Sequence, residues 1–280
     1  MGLGKGSIIQ TCSSIAALSG RIRRNRKGLS VVISTVILSA TLLVVVLTAS
    51  SYASQLLRAE IQNSEFNQAK EVLSSLNKMI EKVTSNTGAS GYIRSGFVTA
   101  YPSIPSTGRS LRIYANNALL KEFETTAVSI HGGSSVTGAF QSISGTSAPM
   151  VTGVLSSNGW LFTNRTDAEV VVLDYSRARC VYKGVGQLYN GTAFESFNVI
   201  ELTAIQLTRG SIEFKDSGSF IVQNKNLETY QYEFAGNVAI RAEFGNLATT
   251  QNLSQLGGNL NYHTLVNLFI IEVQVSVIPG

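Results

Sequence analysis

The sequence predicts an α+β fold in which one long N-terminal helix precedes a globular head that is mainly β. The segment Leu29–Thr84 contains no proline or glycine, and its apolar residues pass from a continuous run to helical spacing. After Tyr92, short runs rich in β-branched and aromatic residues alternate with Gly, Asn, Pro and Ser. The first pattern is typical of a helix, and the second is typical of strands joined by turns.

Residues 1–28 differ from the rest of the chain in charge. Of the 22 Lys and Arg residues, six lie in this segment, which has no acidic residue; the other 252 residues hold 16 basic and all 17 acidic side chains. A basic N-terminal segment favours a cytoplasmic N-terminus, and we interpret residues 1–28 as a leader peptide. Because the remainder is nearly neutral, it lacks a basic surface for a phosphate backbone, and we expect no nucleic-acid binding.

The predicted helix has two parts. Val31–Ala49 is a run of 19 residues without charge, proline or glycine, close to the roughly 20 residues that cross a bilayer core. We therefore predict that residues 29–50 form a transmembrane segment or the core of a filament. Residues 51–84 form an amphipathic stem, in which apolar side chains recur at helical spacing among charged ones. The glycine-containing residues 85–91 end the helix as a hinge.

Residues 92–280 are predicted to form a β-rich extracellular domain. Strand-like runs at this spacing favour an antiparallel architecture, either an Ig-like β-sandwich or a barrel. Asn116-Asn117 predicts a hairpin turn, and the C-terminal LVNLFIIEVQVSVI predicts a strand deep in the sheet. Ser129–Gly159 is rich in small residues and is expected to form a loop or short edge strands. We expect Trp160 to be a core residue or a cross-strand partner.

Residues that could support catalysis are few. SGTSAPMVTG at Ser144–Gly153 resembles the nucleophile motif of subtilisin-like proteases, and the sequence around His131 resembles their histidine motif. A triad needs serine, histidine and aspartate brought together by a scaffold. Here Ser147 follows His131 by only 16 residues, and no aspartate precedes His131. With two histidines and two cysteines in the chain, we expect no enzyme activity, no metal site and no cofactor.

Three Asn-X-Ser/Thr triplets follow the apolar run. They begin at Asn164, Asn190 and Asn252, and each is a possible N-glycosylation site. Together they favour a domain that lies outside the cell.

The junction Lys27-Gly28-Leu29-Ser30 resembles the processing site of archaeal type IV pilins and archaellins, which carry a class III signal peptide. The resemblance covers about residues 23–50 and includes GLSVVISTVIL. It implies that a prepilin peptidase cuts on the cytoplasmic side, with Gly28 as the last leader residue and Leu29 as the new N-terminus. Ile33 occupies the position where bacterial pilins carry glutamate, an acid that archaeal members commonly lack.

The small residues of the apolar run support assembly through this helix. Ser30/Ser34 and Thr35/Ser39 have the spacing that lets helix backbones approach closely in lipid. The resemblance then implies a cell-surface subunit that moves from the membrane into a filament. Its partners would be the peptidase, the membrane, and copies of itself or other pilin-like subunits, and its role would be adhesion or surface attachment.

Two other interpretations remain open. The helix could be an uncleaved single-pass anchor for an extracellular β-sandwich binding protein. Alternatively, Ser51-Tyr52-Ala53 could be the cleavage site of a secretory signal, which would leave a secreted domain that begins at Ser54. A secreted hydrolase, with Ser147 as nucleophile, ranks last.

Overall fold

A computed structural model describes residues 31–106, 108–136, 139–165, 169–189, 191–213 and 218–279. The chain divides into two compact units, the first ending at Leu57 and the second beginning at Arg58. The predicted long apolar helix and β-rich head are both confirmed. The leader prediction for residues 1–28 lies outside the described residues.

Helix α1 comprises Val31–Val83. It ends where the predicted hinge begins, and Gly88 has the positive φ of +82° that favours glycine in a turn. The carbonyls at a helix C-terminus lack partners within the helix. Here the buried Asn224 side chain acts as a hydrogen-bond donor at this end of the helix: its Nδ2 donates to the carbonyls of Val83 and Asn86 at 3.1 Å each.

Fifteen strands and one short 3-10 helix follow α1 in the described part of the chain. The strands are β1 Ser90–Ser95, β2 Tyr101–Ser103, β3 Arg109–Ala115, β4 Ala118–Thr125, β5 Ala127–His131, β6 Gln141–Ser144, β7 Met150–Thr152, β8 Trp160–Arg165, β9 Glu169–Asp174, β10 Ala178–Tyr189, β11 Phe194–Ile212, β12 Gly218–Phe234, β13 Ala239–Phe244, β14 Leu247–Asn252 and β15 His263–Pro279. The 3-10 helix is Leu253–Leu256. The predicted hairpin is formed by β3 and β4, with Asn116 and Asn117 both at positive φ.

The described strands form three sheets. Sheet A has the order β1-β12-β15-β11-β10-β7, sheet B has the order β2-β5-β9-β8-β6, and sheet C has the order β14-β13-β3-β4. The C-terminal strand β15 lies between β12 and β11 in sheet A, as its apolar sequence predicts. Residues 129–159 contribute the end of β5 and the short edge strands β6 and β7.

The prediction of an antiparallel architecture was wrong for sheet A, which is mixed. Strand β15 pairs in parallel with β11, and β10 pairs in parallel with β7. Parallel neighbours need a long connection rather than a tight turn. Residues 213–262 provide it between β11 and β15, and they form three further strands on the way.

Sheet A separates two hydrophobic cores. In β15, the even-numbered Val266, Leu268 and Ile270 belong to a core shared with sheet C. The odd-numbered residues from Ile271 to Val277 belong to a core shared with α1 and sheet B. Since successive side chains of a strand point to opposite faces, the two cores lie on opposite faces of sheet A.

The second half of α1 belongs to the first of these cores. Its fully buried residues follow the helical spacing that the sequence predicts: Ala69, Leu73, Leu76 and Ile80. Ile61, which the same pattern places on this face, is 42% exposed. Within the second unit, the head therefore buries this face of the helix only beyond Ile61.

Candidate functional site

The first part of α1 is an exposed apolar surface. Every residue from Ser34 to Leu57 is exposed, and the large side chains from Val36 to Leu47 are between 53% and 68% exposed. By length and composition this helix could cross a membrane. A helix that is apolar all round is stable only when lipid or protein covers it. This surface is therefore the strongest candidate for a functional site.

Several hydroxyl groups within this surface are satisfied by the helix itself. Ser39 Oγ donates to the Val36 carbonyl at 3.0 Å, and Thr41 Oγ1 donates to the Leu38 carbonyl at 2.9 Å. Thr48 Oγ1 bonds in the same way to carbonyls one turn earlier. Because these donors already have partners, the Ser and Thr residues can enter an apolar environment without losing hydrogen bonds to water.

One face of this helix carries a shallow apolar groove. Its lining residues recur at the three- and four-residue spacing of a helical stripe: Thr35, Leu38, Ser39, Leu42, Leu43, Val46 and Leu47. The predicted packing residues Thr35 and Ser39 lie in this groove, whereas Ser34 is exposed beside it. Small residues between leucines provide the depressions that receive side chains of a second helix.

Several predicted site residues fall elsewhere. The processing residues Gly28 and Leu29, the packing residue Ser30 and the glycosylation candidate Asn190 lie outside the described residues. Asn164 in β8 and Asn252 at the end of β14 are both partly exposed.

The residues of the protease-like motif have structural contacts. His131 ends β5 and stacks on Tyr101, with ring centroids 4.8 Å apart. Ser147 is exposed in the loop between β6 and β7. The nearly inaccessible Arg177 holds this loop, because its Nε donates to the Thr146 carbonyl and its Nη1 donates to the Asp174 carbonyl at 2.8 Å.

The described residues contain no cluster of three or more His, Cys, Asp or Glu side chains that could hold a metal ion. Cys180 is fully buried in the core shared by sheets A and C, and burial raises the pKa of its thiol to about 12. A thiol with so high a pKa is a poor nucleophile at neutral pH.

Of the two alternatives predicted for Trp160, a core residue or a cross-strand partner, the structure shows the second. Trp160 is partly exposed, contacts Ser142 on the neighbouring strand, and forms an aromatic cluster with Phe140 and Phe162. The Trp160 and Phe162 rings stack with centroids 3.9 Å apart, and Phe140 lies about 6 Å from both. Trp160 Nε1 donates to Ser142 Oγ at 2.9 Å, and the Arg177 guanidinium lies 4.9 Å from the indole. The cluster is therefore held in one arrangement.

The alternation in Trp160-Leu161-Phe162 could have indicated this cluster, because it places two aromatic rings on one face of a strand. The sequence does not show that this face is uncovered. Phe140, which is 60% exposed, immediately precedes the neighbouring strand β6 and joins the cluster from there.

Comparisons of the chain with protein-family models, with curated proteins and with solved structures found no match. The functional argument therefore depends on the residues themselves.

Proposed function

We propose that this protein is an archaeal type IV pilin-like cell-surface subunit that assembles through its N-terminal helix. The observation that supports this proposal is the uncharged, exposed helical surface from Ser34 to Leu57. An apolar surface of this extent needs a cover. Copies of the same helix, packed side by side, would supply that cover along the whole length.

Maturation would control the change from membrane to filament. Cleavage between Gly28 and Leu29 by a prepilin peptidase would remove six basic side chains and no acidic one. These charges would hold the N-terminus at the cytoplasmic face before cleavage. After cleavage, the helix would begin with uncharged side chains, so that it could leave the bilayer and pack against other copies.

The head would then form the outer surface and mediate adhesion or surface attachment. An Ig-like relationship of the head also stays a proposal. It is supported by sheets A and C, which face each other across a shared core as the two sheets of a sandwich do. Glycans on Asn164, Asn190 and Asn252 would add to an extracellular surface.

A second candidate function is that of an uncleaved, single-pass anchor for an extracellular binding domain. The length and composition of the helix favour it equally, because they fit a bilayer as well as a helical bundle. This alternative requires that the leader stay on the protein and that each helix remain alone in lipid.

The N-terminus of the native protein distinguishes the two functions. Mass spectrometry of material sheared from cells should find a chain that begins at Leu29 and retains the helix. An intact leader on protein that is confined to the membrane fraction would support the anchor. A chain that begins at Ser54 would have lost the apolar part of the helix before that residue and would contradict both functions.

A further inference from the structure

The head contains a small polar pocket between α1 and the edge of sheet B. Its volume is about 260 Å³. The polar groups that line it come from both elements: Asn63, Asn67 and Lys70 from α1, and Gln141, Thr163 and Glu169 from sheet B. All of them belong to the second compact unit.

Some of these groups already have partners. Lys70 Nζ donates to Asn67 Oδ1 at 3.3 Å and lies 4.8 Å from the centroid of the Phe66 ring. Thr163 Oγ1 accepts from the Gln141 backbone N–H at 3.1 Å and donates to the Ala139 carbonyl at 2.9 Å. These contacts fix the positions of the groups around the pocket.

The carboxamides of Asn63 and Gln141 differ from them. Both side chains are exposed, and neither makes a side-chain hydrogen bond within the part of the chain that the structure describes. Each carboxamide offers one acceptor and two donor hydrogens. They can therefore bind a ligand without losing an internal contact.

The chemistry of the pocket favours a neutral ligand that carries several hydroxyl groups. Lys70 and Glu169 have opposite charges, so neither an anion nor a cation is favoured overall. Hydroxyl groups can both donate and accept, which matches the mixture of carboxamides, ammonium and carboxylate. Pockets for drug-sized ligands usually hold about 300–1,000 Å³, so this one suits a smaller group such as one sugar ring.

The aromatic cluster lies on the other face of sheet B. Thr163 lines the pocket, whereas its neighbour Phe162 in β8 contacts Trp160 and Phe140. Since successive side chains of a strand point to opposite faces, the cluster is not part of the pocket. The polar groups alone therefore define the ligand.

We propose that the pocket binds one neutral sugar residue of a polysaccharide. This inference depends on the proposed function only in taking the head as the outer, attaching part of the protein. It specifies polysaccharide as the partner for attachment.

The test uses saturation-transfer NMR on the full-length protein in micelles of a detergent that has no sugar headgroup. The probes are N-acetylglucosamine and cellotetraose. Inorganic phosphate is compared by broadening of its 31P signal, because it has no carbon-bound proton. We expect saturation transfer to both sugars and no binding of phosphate. Asn63→Ala and Gln141→Ala should each weaken sugar binding about tenfold, the effect of losing one hydrogen bond.

Gln68→Ala is the matched control, because Gln68 is an exposed carboxamide of α1 that does not line the pocket. It should leave the affinity unchanged. Thermal unfolding of each variant checks that the fold is kept. Phe140→Ala should leave the binding of both sugars unchanged, because Phe140 packs in the aromatic cluster on the opposite face of sheet B from the pocket.

Absence of transfer to both sugars would overturn the inference, as would sugar binding that Asn63→Ala and Gln141→Ala leave intact. Phosphate binding lost in Lys70→Met would show an anion site instead. The measurement is made on dispersed protein and does not depend on assembly. A negative result would therefore leave the pilin-like proposal standing, and a failure of assembly would leave this result unaffected.

Discussion

Glu65 joins α1 to the segment after β1, and its replacement should destabilise the head. The side chain is buried, and its carboxylate accepts hydrogen bonds from the N–H groups of Val98, Thr99 and Ala100 at 2.8, 2.9 and 3.1 Å. The Thr99 hydroxyl donates a fourth. Glu65→Ala would remove the acceptor of these four donors, one of which is buried and three part-buried.

The size of the effect follows from these contacts. A hydrogen bond in a folded protein contributes about 1 kcal/mol on average, and more when one partner is charged. Four coupled bonds are not strictly additive, so we expect Glu65→Ala to lower the free energy of unfolding by about 3 kcal/mol. For a domain of this size that corresponds to a fall in Tm of about 6–12 °C.

The contribution of Glu65 should depend on pH. Burial raises the pKa of the Glu65 carboxyl, but the hydrogen bonds from the Thr99 hydroxyl and the three N–H groups outweigh it, so that the pKa lies below the ordinary value. A carboxyl with a lowered pKa stabilises the fold above the ordinary Glu pKa of about 4.3. This stability is lost as the pH falls from there through the folded-state pKa.

The assay is thermal unfolding of the full-length protein in detergent, followed by circular dichroism between pH 7 and pH 3. Glu71→Ala is the control, since Glu71 is an exposed glutamate on the same helix. The Tm difference between wild type and Glu65→Ala should narrow below about pH 4.3. Equal Tm values for wild type and Glu65→Ala at pH 7, or a Tm difference between them that does not narrow in acid, would refute the reasoning.

Three further predictions concern other parts of the chain. Leu42→Ala removes a groove side chain and should raise the concentration needed for assembly at least tenfold, whereas Val44→Ala, outside the groove, should raise it less. Sedimentation of assembled material measures this concentration for both variants, and equal effects would contradict a role for the groove. Cys180 should stay unmodified by a thiol reagent at pH 7 in the folded protein and react on denaturation, because it is buried and its pKa is about 12; fast labelling of the native state would contradict this. Asn224→Ala should lower the Tm by about 4–8 °C in the same unfolding assay, since the carbonyls of Val83 and Asn86 lose their side-chain donor, while the exposed Asn226→Ala should not; similar values would disprove the capping role.

The helix could be predicted well because its signals are local. The absence of charge, proline and glycine from Val31 to Ala49 favours a helix whatever surrounds it. The spacing of Ala69, Leu73, Leu76 and Ile80 identified the buried face for the same reason. The pattern gave no information on where the head begins to cover the helix. Ile61 follows the same apolar spacing but is 42% exposed.

The β-rich head could be predicted only in outline. Alternating apolar residues show that a strand has a buried face, but the alternation is the same for parallel and antiparallel neighbours. The parallel pairing of β11 with β15 brings together residues more than 60 positions apart, such as Phe197 and His263. Such pairings depend on the whole fold.

The apolar surface and the polar pocket also differ in how far the sequence could indicate them. The apolar surface lies within one continuous segment, so composition was enough to indicate it. The polar pocket joins Asn63 of α1 to Gln141 and Glu169 of sheet B. None of these residues has a distinctive neighbour in the sequence, and the pocket became visible only in the fold.

Contact between the apolar helices of different copies is the central claim, and a cysteine at position 43 tests it most directly. In Leu43→Cys, a protein cleaved as proposed would have one accessible thiol, because Cys12 would leave with the leader and Cys180 is buried. Oxidation of material sheared from cells should give disulfide-linked dimers whose yield does not depend on expression level. Protein that stays monomeric, or that forms dimers only in proportion to its concentration in the membrane, would contradict the account.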